Sequence, residues 1–522
     1  MPLKPQTSSS SSSSSPALET SSLLQRTKPS APATPQHQHQ HHGSASVVET
    51  IINEAKACMG TGCLALPYAA RVGGLILHVL GLVAIGLWNI YSIHRLYQCL
   101  QLLPKEAILE DDEDSKNGNS GQEEPELALL ELPPSPSPVH HRPHSSEEKY
   151  SDIKYDSLLQ HQQQSATMLQ GQPPIRLQQS LPQSPPNGTS TYSRVAWYAF
   201  GPLGLYALDL MMAALFIGVV VAYVNAGRDF LRDTPVTSGS ETFDAFVIAM
   251  IVGSISAVPD MGYLSRASAM GLIILFLSFL VIAGYGLVEY SWEQKDFSEE
   301  DSVGWNWVPQ DGVKGVSQWF GCVVFGYGIA PLTYNFRESM IDPSKMVQAS
   351  TAALLFVAGS YVIIGVGLYS LFRDIDGDVL HTLPATGWLP ILTRLSMTVV
   401  VFVTAPLLIV PCGQLVEGKL LKTTPMSDVP YPIRASVRIG IALTCVSISV
   451  LVPGFVNVLS LVGCACVAAV GFVVPPLLFL KLRHMRSALS WDLIGDVIML
   501  VWGVIATGIS TMYTFKLVTG RS

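Results

Sequence analysis

The chain has 522 residues, of which 13% are charged and 48% apolar, with a mean hydropathy of +0.35 and a formal net charge of −8. An ordinary soluble domain is about 25% charged, so the composition excludes that class, and the lack of a basic face or stripe argues against a nucleic-acid partner. The charge is uneven: residues 104–193 hold 14 acidic residues and 6 Lys or Arg, a net of −8 that leaves the remainder of the chain balanced.

In chain order, residues 1–45 come first: a serine run at Ser8–Ser15, then Gln and His from Gln36 to His42. Such a segment cannot bury enough apolar surface to fold, and it reads as a disordered cytoplasmic tail. Eleven apolar stretches follow, each of a length that crosses a bilayer. They cover roughly 47–72, 74–102, 198–224, 243–259, 267–288, 316–337, 347–372, 385–416, 433–452, 455–481 and 492–517. The domain pattern is then a tail at 1–45, two spans in 46–103, a cytoplasmic insert at 104–193 and nine further spans in 194–518. The insert is acidic at its start, rich in Pro, Gln and Ser after that, and reads as disordered.

Orientation follows the positive-inside rule. The loops after the sixth, eighth and tenth stretches carry Arg337 and Lys345; Lys419, Lys422, Arg434 and Arg438; and Lys481, Arg483 and Arg486. The opposite side has the acidic run Asp374–Asp378. The N-terminus and the insert are therefore expected in the cytoplasm and the C-terminus outside or in a lumen, with Arg228 and Arg232 counting weakly the other way. The sequon at Asn187 would then escape glycosylation. The eight cysteines all lie in or beside apolar stretches and read as small buried hydrophobes, and Cys464-Ala465-Cys466 lacks zinc-ligand spacing, so no metal is expected.

The informative stretch is Val47–Gly74, which carries Gly60-Thr61-Gly62 at mid-depth. Paired glycines weaken a helix, and irregular backbone at that depth is tolerated only against protein or a watery cavity. The sixth stretch repeats the device at Phe325-Gly326-Tyr327-Gly328. Interrupted spans at corresponding places in two halves of a chain point to a transport site. A zwitterionic amino acid suits such a site. Free N–H groups at the restart of a half-helix receive its carboxylate, and unwound carbonyls receive its ammonium or a small cation. The predicted substrate-binding residues are Gly60, Thr61, Gly62, Cys63, Phe325, Gly326, Tyr327 and Gly328. The same glycines also suit close helix packing, and Phe325 and Tyr327 either close over a substrate or pack on a neighbouring span. Intramembrane charge marks Lys56 and Asp209 as candidates for ion coupling. Thr404 is a third, through its hydroxyl; each also has a purely structural reading, as a buried pair, an interfacial residue or a hydroxyl bonded to its own backbone.

Several motifs then match one family in register. Asn53, Lys56, Gly60, Gly62, Leu64-Ala65-Leu66-Pro67 and Ala69 resemble the first span of the amino acid/auxin permease family. Tyr192 with Ala199-Phe200-Gly201 and Gly204 resembles its entry to the third span, and Phe325-Gly326-Tyr327 with Met340 and Asp342-Pro343 its sixth. Thr404, Pro406-Leu407, and Pro453 with Phe455 and Ser460–Gly463 resemble its eighth span and its ninth-to-tenth turn. The resemblance implies an all-α membrane protein of eleven helices, of the LeuT-like class of secondary transporters. Its two inverted five-helix repeats would have broken first and sixth spans. It implies an amino acid or related organic acid as substrate, proton or sodium coupling, no further cofactor, and a plasma, vacuolar or lysosomal membrane. Two positions depart from the pattern: Gly328 stands where many members have an acid, and Asn335 where many have Pro, with Pro331 four residues earlier.

The tails add address-like pieces. Glu19–Leu24, ending in Leu23 and Leu24, resembles an acidic dileucine signal, and the segments from Tyr150 and Tyr155 resemble tyrosine-based ones, so sorting adaptors join the bilayer and an amino acid as expected partners. Three functions are weighed: a proton-coupled amino acid transporter, an amino acid sensor with little flux, and a membrane-embedded enzyme. The last has no paired His, Asp or Ser set to support it. A sodium-coupled or auxin-like organic acid carrier is the variant of the first.

Overall fold

The computed structural model describes residues 45–103, 185–186, 189–257, 261–293, 304–309, 311–375, 377–421, 430–452, 454–486 and 493–520. The expected tail, most of the insert, and with them Leu23, Leu24, Tyr150, Tyr155 and Asn187, lie outside the described residues. Within them every extended element is helical, and one isolated parallel bridge joins Ala45 to Met340. The bridge is made by the Ala45 N–H to the Ser339 carbonyl and the Ile341 N–H to the Ala45 carbonyl, each 2.9 Å.

Among the described residues, eight helices are long and apolar enough to cross a membrane. They include α3 (Leu75–Gln101), α4 (Thr191–Arg232), α9 (Met346–Phe372), α10 (Trp388–Leu421), α11 (Tyr431–Leu451) and α14 (Ile494–Val518). The seventh is within α6 (Met261–Glu293), and the eighth runs unbroken from α12 (Phe455–Val462) into α13 (Val474–Arg486). Their outward faces carry large apolar side chains: Leu203 is 77% exposed, Ile363 74% and Leu280 69%. On a soluble monomer, apolar patches of that extent are rare; here they are the lipid-facing surface of an integral multi-pass membrane protein.

The other three expected stretches are shorter or broken. One is α5 (Glu241–Ser256), of 16 residues. The first stretch divides into α1 (Val47–Cys58), a 3-10 turn at Thr61–Ala65 and α2 (Leu66–Gly73). The sixth divides into α7 (Val313–Gly326), a 3-10 turn at Ala330–Leu332 and α8 (Thr333–Ser339). The start of α1 is set by a capping box: Ser46 Oγ accepts from the Glu49 N–H, and the Glu49 carboxylate accepts from the Ser46 N–H at 2.7 Å. Each restart has proline in its first turn, Pro67 in α2 and Pro331 in the second 3-10 turn, where the missing N–H costs nothing.

Three local features depart from the sequence expectations. First, α4 begins at Thr191, inside the expected insert, and turns sharply at Gly201, whose φ of 67° is a left-handed value that glycine adopts without strain, before Pro202. The fold-back brings Ser193 Oγ to donate to Asp209 Oδ1 at 2.6 Å, sixteen residues on, so the first three turns of α4 are not part of a straight span. Second, the segment joining α12 to α13 is π-helical at Gly463–Val467 and Ala469–Val473; such wide turns recur at functional sites. Third, Arg438, counted above as a loop charge, is fully buried and donates to Glu417 Oε1 at 3.3 Å and to the Ser256 carbonyl, tying α11 to α10 and α5. The same solution recurs where Arg95 on α3 meets the buried Asp496 on α14 at 2.7 Å, with Tyr91 donating to that carboxylate. Charge in an apolar interior is retained only when paired and hydrogen-bonded in this way.

Candidate functional site

The two interruptions lie against each other in the middle of the helices. α1 ends where Met59 leaves helical geometry (ψ 70°) and Gly60 is extended (φ −101°, ψ −162°). The Gly60 N–H turns back to the Cys58 carbonyl at 2.9 Å, and the Cys63 N–H donates to the Gly60 carbonyl at 3.1 Å. α7 ends at Gly326; the Tyr327 N–H then reaches the Val324 carbonyl at 3.1 Å and the Gly328 N–H the Phe325 carbonyl at 3.2 Å. Neither segment has α-helical hydrogen bonding through its glycine pair, as the spacing predicted.

Glycine is needed at both places because other chains come close. A Cβ on Gly62 would stand 3.0 Å from Cδ1 and 3.1 Å from Cε1 of Phe325, so an edge of the ring contributed by the second break packs on the first. A Cβ on Gly60 would be 2.7 Å from the hydroxyl of Tyr223, on α4, and one on Gly326 would be 2.9 Å from the ring of Tyr361, on α9. Behind Phe325, Gly321 of α7 and Gly463 of the π-helical segment bring their backbones together with no room for a side chain at either.

Tyr361 joins the two breaks. Its hydroxyl is 2.8 Å from the Cys58 carbonyl, the last of α1, and 2.8 Å from the Gly326 carbonyl, the last of α7. The side chain is fully buried, and its ring meets that of Tyr327 edge-on at 5.3 Å. A phenol has one proton. It therefore serves one of these carbonyls at a time, and since the Gly60 N–H already reaches the Cys58 carbonyl, the Gly326 carbonyl is the one that depends on it.

The predicted residues divide accordingly. Gly60, Thr61, Gly62, Cys63, Phe325, Gly326 and Gly328 come together. Tyr327 belongs to the second break by its backbone, but its side chain turns away: it is buried and donates to the Leu82 carbonyl of α3 at 3.2 Å, which is the packing alternative rather than a lid. Lys56 is half-buried in the last turn of α1. Thr404 is half-buried on α10, the helix that passes beside the Thr61–Ala65 turn. Asp209 is buried on α4, fourteen residues before Tyr223 and thus about 21 Å from the first break along that helix. Glu54 is fully buried and accepts from Ser350 Oγ of α9 at 2.8 Å.

Sequence reasoning missed Tyr361, Tyr223 and Glu54. A tyrosine in an apolar run has a hydroxyl that must find a partner, and that signal was present at Tyr361. It also missed a cavity of ≈ 490 Å³ at the end of the helices away from Ala45. This cavity is lined by Tyr68, Arg228, Asp229, Arg232, Glu241, Asp378, His381 and the chain from Gly454 to Asn457. Its floor is the loop after α9. Arg71 of α2 holds that loop at Asp374 (2.7 Å) and the Ile375 carbonyl (2.9 Å), and Arg394 of α10 donates to the carbonyls of Leu380, Leu383 and Pro384. The short turn Val379–Thr382 within it packs on the Thr61–Ala65 turn, so the cavity sits directly above the first break. Burial pushes the Asp378 carboxyl up to about 6, against the pull of His381.

Comparison with known proteins bears on this site. A family model described as transmembrane amino acid transporter protein matches residues 43–113 and 175–516. Amino acid transporter ANT1 of Arabidopsis thaliana is 22% identical over 483 residues, covering 88% of this chain and 90% of that protein. Amino acid transporter AVT3B of the same plant is 29% identical over 195 residues, covering 35% of this chain and 45% of its own length. The putative sodium-coupled neutral amino acid transporter 10 of Xenopus laevis is 24% identical over 327 residues, covering 58% of this chain and 30% of that protein.

Proposed function

This chain belongs to the transmembrane amino acid transporter family, and on that premise we propose that it is a secondary active transporter that moves amino acids by alternating access, coupled to protons. We read the eight long helices, α5 and the two broken pairs as eleven crossings. The first ten form two inverted five-helix repeats, and the breaks are the first members of each. The amino acid sits between the breaks. Its carboxylate takes the N–H groups at Thr61 and Gly62, where the 3-10 turn begins and the dipole of the restarting helix is positive. Its ammonium takes the Gly326 carbonyl when the Tyr361 hydroxyl turns to Cys58. Phe325, resting on Gly62, is displaced when substrate enters and closes over it afterwards.

The observation that carries this reading is the shared Tyr361 hydroxyl. The Gly60 N–H already serves the Cys58 carbonyl, so whenever the phenol proton also points there the Gly326 carbonyl is an acceptor without a donor in a buried place, which costs about 1–3 kcal/mol. A bound ammonium relieves that deficit. Thr404 and Lys56 stay as candidates for coupling, and Asp209, held by Ser193, is assigned to structure. The dileucine-like and tyrosine-based pieces in the tail and insert support an endosomal, vacuolar or lysosomal membrane over the cell surface.

Uptake of a panel of labelled amino acids into proteoliposomes tests the reading, with a pH gradient, a sodium gradient or neither. Accumulation under the inward proton gradient is the expected result. Sodium-driven accumulation would change the coupling ion in the direction of the Xenopus relative's name. Saturable binding without flux under any gradient would replace the transporter with a sensor.

A further inference from the structure

Asp229, Asp378 and His381 meet in the outer cavity, and nothing in the transport reading uses them. They come from separate places, Asp229 from the last turn of α4 and the other two from the loop after α9. Each presents one donor atom, and these atoms all lie within 4.8 Å of one another. Asp378 is almost entirely buried. Its Oδ1 accepts from the Leu380 N–H at 2.8 Å, while Oδ2 has no hydrogen-bond partner and faces His381 Nε2 at 3.5 Å.

That separation has a chemical meaning. A charge-assisted hydrogen bond between imidazole and carboxylate closes to about 2.7–2.9 Å. Two donors on one tetrahedral metal, each about 2.1 Å from it, stand about 3.4 Å apart. The buried oxygen and the imidazole nitrogen are thus spaced as two ligands of a shared ion. Asp229 supplies a third, its Oδ2 already oriented by the Phe455 N–H at 3.3 Å. Two carboxylates and an imidazole are a borderline-hard set suited to zinc or another divalent first-row ion. The 490 Å³ cavity leaves the fourth position open to water.

The surrounding charges set the strength. Arg228 Nε is 3.8 Å from Asp229 Oδ1 and 3.9 Å from the Glu241 carboxylate, and Arg232 lines the same cavity. Three carboxylates against two guanidinium groups leave a net of −1 with neutral imidazole, so the field attracts a cation weakly and the ligands themselves carry the affinity.

We propose that Asp229, Asp378 and His381 form a divalent transition-metal site, of the zinc class, that fastens the loop after α9 to the outer end of α4. Because the Val379–Thr382 turn of that loop packs on the first break, a bound ion holds the outer side of the substrate site closed.

The test is zinc binding to the purified full-length protein, measured by titration calorimetry and by the zinc-induced rise in unfolding temperature. His37, His39, His41 and His42 in the N-terminal tail would also take zinc, so the measurement is made with these four replaced by Ala. One zinc per chain is expected. His381→Ala, at a side chain 38% exposed, should weaken binding at least tenfold and abolish the rise in unfolding temperature, as should Asp378→Asn. Glu241→Gln, in the same cavity but outside the ligand set, removes only its share of the weak field and should weaken binding by about twofold or less. No zinc bound, or zinc bound equally by the His381→Ala protein, overturns the proposal. Binding stands apart from the transport reading; inhibition of flux by zinc added at this face, lost in His381→Ala, is the one readout that rests on it.

Discussion

The two breaks are built from one recipe and held in different ways. Each stops a helix near a pair of glycines one residue apart, makes a 3-10 turn and restarts with proline in the first turn. The first break, however, contributes only small side chains at Gly60, Thr61, Gly62 and Cys63, and is covered by aromatic rings from elsewhere, Tyr223 of α4 and Phe325 of α7. The second break supplies its own aromatics: Phe325 lies over the first break, and Tyr327 anchors to α3 through the Leu82 carbonyl. In the proposed reading, one break is therefore a seat and the other a seat with a lid attached. The difference separates two roles for glycine, making room for a partner at Gly62 and making room for a clamp at Gly326, where Tyr361 presses.

The largest effect is expected where the lid meets the seat. Gly62→Val places a branched side chain where even a Cβ stands 3.0 Å from the Phe325 ring. Uptake should be lost, with the protein still present in the membrane at wild-type level. If the clash is with Phe325, the milder Gly62→Ala should lose about tenfold in uptake, and adding Phe325→Ala should restore part of it, since neighbouring sites couple by about 0.5–3 kcal/mol. Wild-type flux in Gly62→Val would remove the first break from the site.

Both breaks were legible in the sequence because glycine pairs and proline restarts act through backbone geometry, which is local. The partners were not, because they come from across the fold. Tyr361 lies thirty-five residues from Gly326 and about three hundred from Cys58, and no periodicity links such positions. Asp378 read only as part of the acidic run Asp374–Asp378 and His381 was not singled out, since their meeting with Asp229 depends on how α4 ends. The helix boundaries were recovered to within about six residues except on α4, which ends eight residues past the expected span and starts seven before it, where Gly201 and Pro202 fold three turns back on the span. Arg438 shows the limit of charge counting: a residue near a helix end was assigned to a loop, whereas Glu417 twenty-one positions earlier draws it inside.

A smaller effect is expected at the clamp between the breaks. Tyr361→Phe keeps the ring against Gly326 and Tyr327 but removes the hydroxyl shared by the Cys58 and Gly326 carbonyls. The Gly326 carbonyl then lacks a donor, while the Gly60 N–H still serves the Cys58 carbonyl, so thermal unfolding should register a loss of about 1–3 kcal/mol. With that acceptor unmatched, the ammonium of the substrate gains in relative worth. The apparent KM should fall while kcat drops about tenfold, because release now re-exposes the Gly326 carbonyl. Equal losses in kcat and kcat/KM would place the hydroxyl in the moving step alone.

The smallest effect is expected at Asp209, and it separates a charge that holds structure from one that carries a proton. The carboxylate accepts from Ser193 across the Gly201 bend and stands about 21 Å along α4 from Tyr223. If its work is to pin the folded-back turns of α4, Asp209→Asn keeps an acceptor for the Ser193 hydroxyl and should change stability by about 1 kcal/mol or less. Ser193→Ala should cost a similar amount. Neither should alter the ratio of uptake with and without a pH gradient. A carrier of the coupling proton behaves otherwise: Asp209→Asn would abolish gradient-driven accumulation while exchange of labelled for unlabelled substrate continued. Ser193→Ala would then disturb coupling as well, since it removes the donor that holds the ionised form. The pair of variants, read by accumulation and exchange in the same vesicles, decides whether coupling lies at the breaks or at the bend of α4.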